Sequence, residues 1–264
     1  MKIGFIGLGN MATAMIGGIL KQGNVLKEDI IGADAFAEAA KKATDVFGIT
    51  AMGSNVEVAQ NCDILVLSVK PQFYESVIAE IKDVIKEEQI VITIAPGKTI
   101  AWLTEQFGKA CKFVRCMPNT PALVGAGCTG VCKSELVTEE EMERVLTLLS
   151  SFGIARVVNE GLMDVVVGVS GSSPAYVFMF IEAMADAAVA EGMPRKTAYE
   201  MAAQAVLGSA KMVLETGKHP GELKDMVCSP AGTTIQAVKT LEAKGMRSAV
   251  MEAMQVCIDK SRSL

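Results

Sequence analysis

One histidine, no Cys-x-x-Cys pair and no block of like charges define this 264-residue sequence by what it lacks. His219 stands alone, which excludes a multi-histidine metal site, and no dense cysteine or carboxylate cluster takes its place. The seven cysteines are scattered. Cys62, Cys116 and Cys257 fall in apolar stretches, where a reduced thiol packs as a small hydrophobe, so core thiols are expected rather than disulfides. The formal charge of -5 is spread along the chain and leaves no electrostatic footprint for a nucleic-acid duplex or a membrane surface. No unbroken apolar run approaches the ~20 residues that a bilayer span needs. The opening MKIGFIGLGN is a glycine-punctuated strand where a signal peptide would place an uninterrupted apolar core. A cytoplasmic protein without nucleic-acid or membrane partners is the expectation.

What is present is a large reserve of apolar residues, 50% of the chain, enough for one large domain or two medium ones. From Met1 to about Glu160, short β-rich runs (KIGFIG, DIIGAD, DILVLSV, QIVITIA, KFVRCM, IARVV) alternate with helical stretches such as 55–60, 72–85 and 138–151. That alternation predicts βαβ units and a parallel, doubly wound sheet covered on both faces. Beyond about Gly161 the strands stop. Stretches 162–191, 195–215 and 234–263 are rich in Ala, Met, Leu and Glu, which predicts an all-helical second domain. The expected division is 1–160 and 161–264. Methionines such as Met179, Met184, Met201, Met212, Met251 and Met254 recur along these helices, which suggests that some apolar faces bury against another subunit.

The stretch IGFIGLGNMATAMIGGIL sets Gly7, Gly9 and Ala12 in a Gly-x-Gly-x-x-Ala pattern between a strand and a helix. The first glycine permits a tight turn, the second lets backbone approach a pyrophosphate, and the small third residue lets helix pack on strand. The unpaired N–H groups of the helix start then hold the anion, so a dinucleotide is the expected ligand. Asp34, at the end of the second strand, suits the ribose hydroxyls and favours NADH, although Lys41 and Lys42 follow on the next helix. SVKP, IAPG and MPNTP each follow a strand, where open α/β sheets bind ligands. Ala95, Pro96 and Asn119 in the last two are therefore expected to line the cofactor cleft.

Taken together, GFIGLGNMA, VKP, RCMPNTP, GVSGSSPAY, HPGELKDMVCSPAGTTI and GMRSA resemble the pyrroline-5-carboxylate reductase family over essentially the whole chain. The resemblance implies a Rossmann domain, a helical dimerisation domain and NAD(P)H-dependent reduction of a cyclic imine, 1-pyrroline-5-carboxylate, to proline. It further implies homodimers interlocked through the helical domains, often five to a decamer, with active sites that borrow residues from two subunits. Carried over by position, Gly9, Asn10, Met11 and Ala12 would line the pyrophosphate. Asn55, Val69, Lys70 and Pro71 would meet the adenosine and nicotinamide portions. Ser229, Gly232, Thr233 and Thr234 would hold the substrate carboxylate and ring nitrogen. Asp34 and the Ala95-Pro96 pair depart from residues usual in relatives, which leaves NADPH and NADH both open.

GFIGLGNM also resembles the 3-hydroxyacid dehydrogenases, the competing enzyme class. Alcohol oxidation needs a general base, commonly Lys or His, and none stands between Lys133 and Lys196. A protonated imine needs chiefly a hydride donor, a carboxylate clamp and a hydroxyl near nitrogen. Thr234 is the expected catalytic hydroxyl. A third reading, a dinucleotide sensor without turnover, leaves the SPAGTT loop unexplained. Thr233 with Gln236 three residues on fits a capping box that would start a helix. His219-Pro220-Gly221 reads as a turn closing a helix, Glu160 and Asp164 as helix-start charges or substrate-facing groups, with the former favoured, and Ser170–Pro174 as a helix break or start.

Overall fold

A computed structural model describes residues 1–263. Strands β1 (Ile3–Ile6), β2 (Ile30–Ala33), β3 (Thr50–Ala51), β4 (Ile64–Leu67), β5 (Ile90–Thr93) and β6 (Lys112–Met117) are joined in one sheet with β7 (Gly127–Lys133) and β8 (Gly153–Val157), ordered 3-2-1-4-5-6-7-8. The six β-rich runs of the sequence are all strands. The expected all-parallel sheet holds through β6, but β7 runs antiparallel to β6 and β8 is parallel to β7. A five-residue 3-10 turn (Thr120–Val124) returns the chain beside β6 without a crossover helix, and a tight return of that kind gives an antiparallel neighbour.

Alternate residues of each strand serve opposite faces. Ile3, Phe5, Ile64, Val66, Ile90 and Ile92 pack with α1 (Asn10–Gln22), α2 (Ala37–Phe47) and α6 (Glu139–Leu149). Ile6, Leu65, Leu67 and Val91 pack with α3 (Asn55–Gln60), α4 (Tyr74–Ile81) and α5 (Ile100–Phe107). Burial on both sides is what makes these strands continuous apolar runs. Helix α6 starts with a capping box, Thr138 with Glu141, and a Lys112–Glu141 ion pair ties it to β6. Cys62 and Cys116 lie in this core as expected, and burial pushes the Cys62 thiol up to about 12.

A nearly continuous helical run follows: α7 (Met163–Val166), a π turn (Val167–Gly171) and α8 (Ser173–Ala190). Then come α9 (Arg195–Thr216), α10 (Pro220–Val227), α11 (Thr233–Ala243) and α12 (Met246–Arg262). Gly245, at φ +73°, separates α11 from α12, where composition alone predicted one long helix. His219 does not close a helix. It caps the start of α10, its Nδ1 accepting the Gly221 N–H at 3.0 Å, with Pro220 at the first helical position where a missing N–H is harmless.

The chain forms two compact units, one of Met1–Ser172 with the segment beginning at Cys257, the other Ser173–Val256. Within the first unit, the Ser261 hydroxyl donates to Asp164 at 2.6 Å, so the end of α12 is fastened to α7. Asp164 therefore serves as an acceptor rather than as a helix-start charge alone. The run Glu160–Ala190 has the length and composition to cross a membrane, with a most apolar stretch of mean hydropathy 1.4 that is only 11% buried. No unbroken apolar run marks it in the sequence, because Gly, Ser and single carboxylates interrupt it. Phe178, Met179 and Phe180 are exposed around it, and the other helices of the second unit expose Leu214 (75%) and Met251 (71%).

Candidate active site

The Gly-rich turn between β1 and α1 is held from two sides. Gly7 adopts φ +91°, its N–H donates to the Ala33 carbonyl at 2.8 Å, and its carbonyl accepts the Ser68 hydroxyl at 2.7 Å. A β-carbon on Gly7 would lie 2.9 Å from the Ser68 carbonyl group, so only glycine fits. Gly9 differs. A β-carbon there would meet no protein atom within 4 Å, and no side chain caps the helix that Gly9 begins. Open space before unclaimed N–H groups is what a pyrophosphate requires, so the residues present fit a dinucleotide. Ala12 is fully buried, which lets α1 pack on the sheet and leaves only its backbone for an anion; Met11 is half-buried against the core, and Asn10 is exposed.

Asp34 braces the loop. One carboxylate oxygen accepts the Leu8 N–H at 2.6 Å and the other the Phe36 N–H at 2.8 Å. The residue expected at the ribose thus also joins the glycine turn to the end of β2. Asn55, at the start of α3, donates its amide to Glu80 at 2.7 Å. Lys70 is exposed, Val69 packs against the core, and Pro71 opens a 3-10 turn (Pro71–Phe73). These residues follow β4, next to β1 in the sheet, at the point where the strand order reverses.

The loop from Ile94 to Thr99 follows β5 and is fixed at both ends. The fully buried Tyr74 hydroxyl accepts the Ile94 N–H at 3.2 Å and donates to the Leu67 carbonyl at 2.6 Å. Burial pushes its pKa up, so the hydroxyl keeps the proton this double role needs. At the far end, Glu160 Oε1 accepts the Ile100 N–H at 2.7 Å and pairs with the buried Arg115 at 3.2 Å. Ala95 is buried and Pro96 half-buried. Glu160, expected to act as a helix-start charge, is instead anchored to α5 and β6. Cys132, the ladder partner of Arg115, has its thiol pushed up to about 11, first by burial and then by Glu160, against the lowering effect of Arg115.

Asn119 turns inward. Its amide donates to the Ser170 carbonyl at 2.9 Å and its oxygen accepts the Cys128 N–H at 2.9 Å. The side chain expected at the cofactor therefore ties β7 to the π turn, at a carbonyl whose helical partner four residues on is Pro174, which has no N–H to donate.

In the second unit, α10 ends at Val227 and α11 begins at Thr233, with Ser229, Pro230, Ala231 and Gly232 between them. The predicted capping box does not form. Gly232, extended at φ -72° and ψ 171°, is the cap, and Thr233 is already helical, so Gln236 lies one position too far along. A β-carbon on Gly232 would come within 2.4 Å of the Ser229 hydroxyl. Without a capping side chain, the N–H groups of the first turn of α11 remain free for an anion. Ser229 and Thr233 are exposed, while Thr234 is half-buried.

Ala231 is the one non-glycine residue with positive φ among the described residues, at +58°. Left-handed backbone costs an L-residue ~1–2 kcal/mol. Ala231→Gly should therefore stabilise the protein by roughly 0.5–1 kcal/mol after the entropy of the unfolded glycine is deducted, raising Tm by about 2 °C. An unchanged or lower Tm in calorimetry would show the loop to be unstrained.

A phosphate-type turn at the head of an open α/β sheet, followed by a helical unit with an anion-accepting helix start, defines a dinucleotide-dependent oxidoreductase. Residues 160–264 match the family described as pyrroline-5-carboxylate reductase dimerisation, and residues 2–97 match the NADP oxidoreductase, coenzyme F420-dependent, family. The chain is 54% identical over 263 residues to the pyrroline-5-carboxylate reductase of Escherichia coli (strain K12), covering 100% of this chain and 98% of that one. Among solved structures, the Plasmodium falciparum pyrroline carboxylate reductase with NADP bound has a TM-score of 0.90 at 33% identity, covering 100% of this chain and 97% of the other. The Coxiella burnetii pyrroline-5-carboxylate reductase has a TM-score of 0.93 at 33% identity, covering 99% and 97%. The chain belongs to the pyrroline-5-carboxylate reductase family.

Proposed function

We propose that this protein reduces 1-pyrroline-5-carboxylate to L-proline, the last step of proline synthesis. The observation that carries the reading is the uncapped, glycine-led start of α11, which offers N–H donors to a small carboxylate beside the Thr234 hydroxyl. Bound NADPH or NADH would supply the hydride for the imine carbon. Gly7 and Gly9 shape the pyrophosphate turn, with the backbone of Asn10, Met11 and Ala12 as donors; Asn55, Val69, Lys70, Pro71, Ala95 and Pro96 border the remainder of the cofactor. Ser229, Gly232, Thr233 and Thr234 hold the substrate carboxylate, and Thr234 Oγ1 orients the ring nitrogen, which carries the proton. The residues given to the substrate, Ser229, Gly232, Thr233 and Thr234, include no Lys or His to act as the base that 3-hydroxyacid dehydrogenation needs.

Residues 1–160 serve the dinucleotide, and residues 161–264 serve dimerisation and the substrate. The exposed Phe178, Met179, Leu214 and Met251 support a homodimer through the helical unit, and a pentamer of dimers is its extension. A cytoplasmic location fits a biosynthetic reductase of this kind. The relative solved with NADP bound points to NADPH, whereas the charge of Asp34 disfavours a 2′-phosphate nearby. The test is loss of NAD(P)H absorbance at 340 nm (roughly the reduced nicotinamide band) on adding the substrate, run with each cofactor. Turnover with at least one is expected. No oxidation of either would sink the reading and leave a binding protein without turnover. A preparation that sediments as a monomer would remove the dimer.

A further inference from the structure

Two hydrogen bonds pin the ends of the loop between β5 and α5, and neither donor residue nor acceptor belongs to the sites described for family motifs. The Tyr74 hydroxyl holds the Ile94 N–H, and Glu160 holds the Ile100 N–H. Arg115 in turn holds Glu160 in place: it is 3% exposed on β6, and its NH1 lies 3.2 Å from the same Oε1 that accepts from Ile100. Arg115 faces Thr93 in the β5–β6 ladder, so the pair sits at the root of the loop. Arg115 Nε and Thr93 Oγ1 are both buried without a hydrogen-bond partner in the protein. A buried guanidinium kept despite that deficit indicates a constraint beyond packing.

From this we infer that Glu160, aligned by Arg115, is a positioning residue that sets the height of the Ala95–Thr99 loop against the nicotinamide ring, with Tyr74 fixing the opposite end. The inference rests on the reductase reading above. The loop lies at the carboxyl end of β5, one strand past the switch point between β1 and β4, which is the nicotinamide side of such a sheet. Gly97 at φ +74° and the Lys98 ammonium 4.1 Å over the Trp102 ring shape its middle, and the two anchors tie its ends to Tyr74 and to Glu160. Small displacements of a group that borders the reacting atoms lower turnover more than binding.

The experiment compares Glu160→Ala, Glu160→Gln and Tyr74→Phe in the full chain. Kinetics with 1-pyrroline-5-carboxylate are measured together with NADPH titration by nicotinamide fluorescence, which needs no turnover. Glu160→Ala should lower kcat roughly tenfold while the KM for substrate changes less than about twofold. Glu160→Gln retains an acceptor for Ile100 and should keep kcat within about threefold of the parent. Tyr74→Phe, which leaves the ion pair intact, should reproduce the loss of kcat and change the fluorescence yield of bound NADPH, as Glu160→Ala does. Should Glu160→Ala fail to fold, Glu160→Asp, whose shorter side chain draws the carboxylate back from the Ile100 N–H, takes its place with the same expected loss of kcat and change in fluorescence, and parental values in it would overturn the proposal. Parental kcat and fluorescence in Glu160→Ala and Tyr74→Phe, or a Gln variant as impaired as the Ala variant, would overturn the proposal. If the parent protein itself does not turn over, the reductase reading falls, and the fluorescence of bound NADPH in the same variants still decides whether the loop is positioned by Glu160.

Discussion

Thr234→Val should lower kcat about 100-fold while NADPH binding and thermal stability stay near the parental values. Valine matches threonine in shape, so the half-buried site in the first turn of α11 keeps its packing and loses only a hydroxyl. The N–H groups proposed to receive the substrate carboxylate belong to the backbone and remain. Substrate KM should accordingly rise only a fewfold, and the loss should fall on hydride transfer to an imine whose ring nitrogen is no longer oriented. Thr234→Ser restores the hydroxyl and should recover most of the rate. Parental kcat in the valine variant, measured by NADPH oxidation, would remove Thr234 from the mechanism.

The second large effect lies at the phosphate turn. Gly7→Ala places a β-carbon 2.9 Å from the Ser68 carbonyl carbon and oxygen and forces φ +91° on an L-residue. Backbone cannot retract as a side chain can, so the turn must shift. With strain and overlap together of roughly 2 kcal/mol, NADPH should bind about 30-fold more weakly. Gly9→Ala is the informative contrast. Gly9 has φ -74° and open space where its β-carbon would go, so the free protein should keep its Tm while NADPH binding still weakens. Parental NADPH affinity in both variants, titrated by fluorescence, would mean that the pyrophosphate does not lie on this turn.

Much of this was legible in the sequence because local chemistry dictated it. Runs such as ILVL and IVIT are β-branched, apolar and buried on both faces, and they became strands. The run GCTGVCK did not announce β7, since its glycines answer distant neighbours. A β-carbon on Gly127 would press the Phe152 carbonyl at 2.8 Å, and one on Gly130 would strike Val166 at 2.6 Å. The two-residue β3 is too short to carry a pattern. At the site, the glycine fingerprint was legible from its spacing between strand and helix, whereas the SPAGTT loop stood out through the family resemblance, and the capping box that its spacing suggested does not form. The inward turn of Asn119 and the double duty of Glu160 depend on partners 51 and 60 residues away, beyond the reach of local pattern. An arginine between Val114 and Cys116, in the buried stretch of β6, is a visible sign that this strand carries more than packing.

The bond between Ser261 and Asp164 has a consequence for how this molecule can be taken apart. Because the chain returns to the nucleotide-binding unit at Cys257, the helical unit is an insertion with two covalent crossings, at 172/173 and 256/257. Cutting the chain once therefore yields no free nucleotide-binding module. Evolution or an engineer exchanging helical units between relatives must respect both junctions, and cuts made at those two points leave Asp164 and Ser261 gripping each other in the recipient.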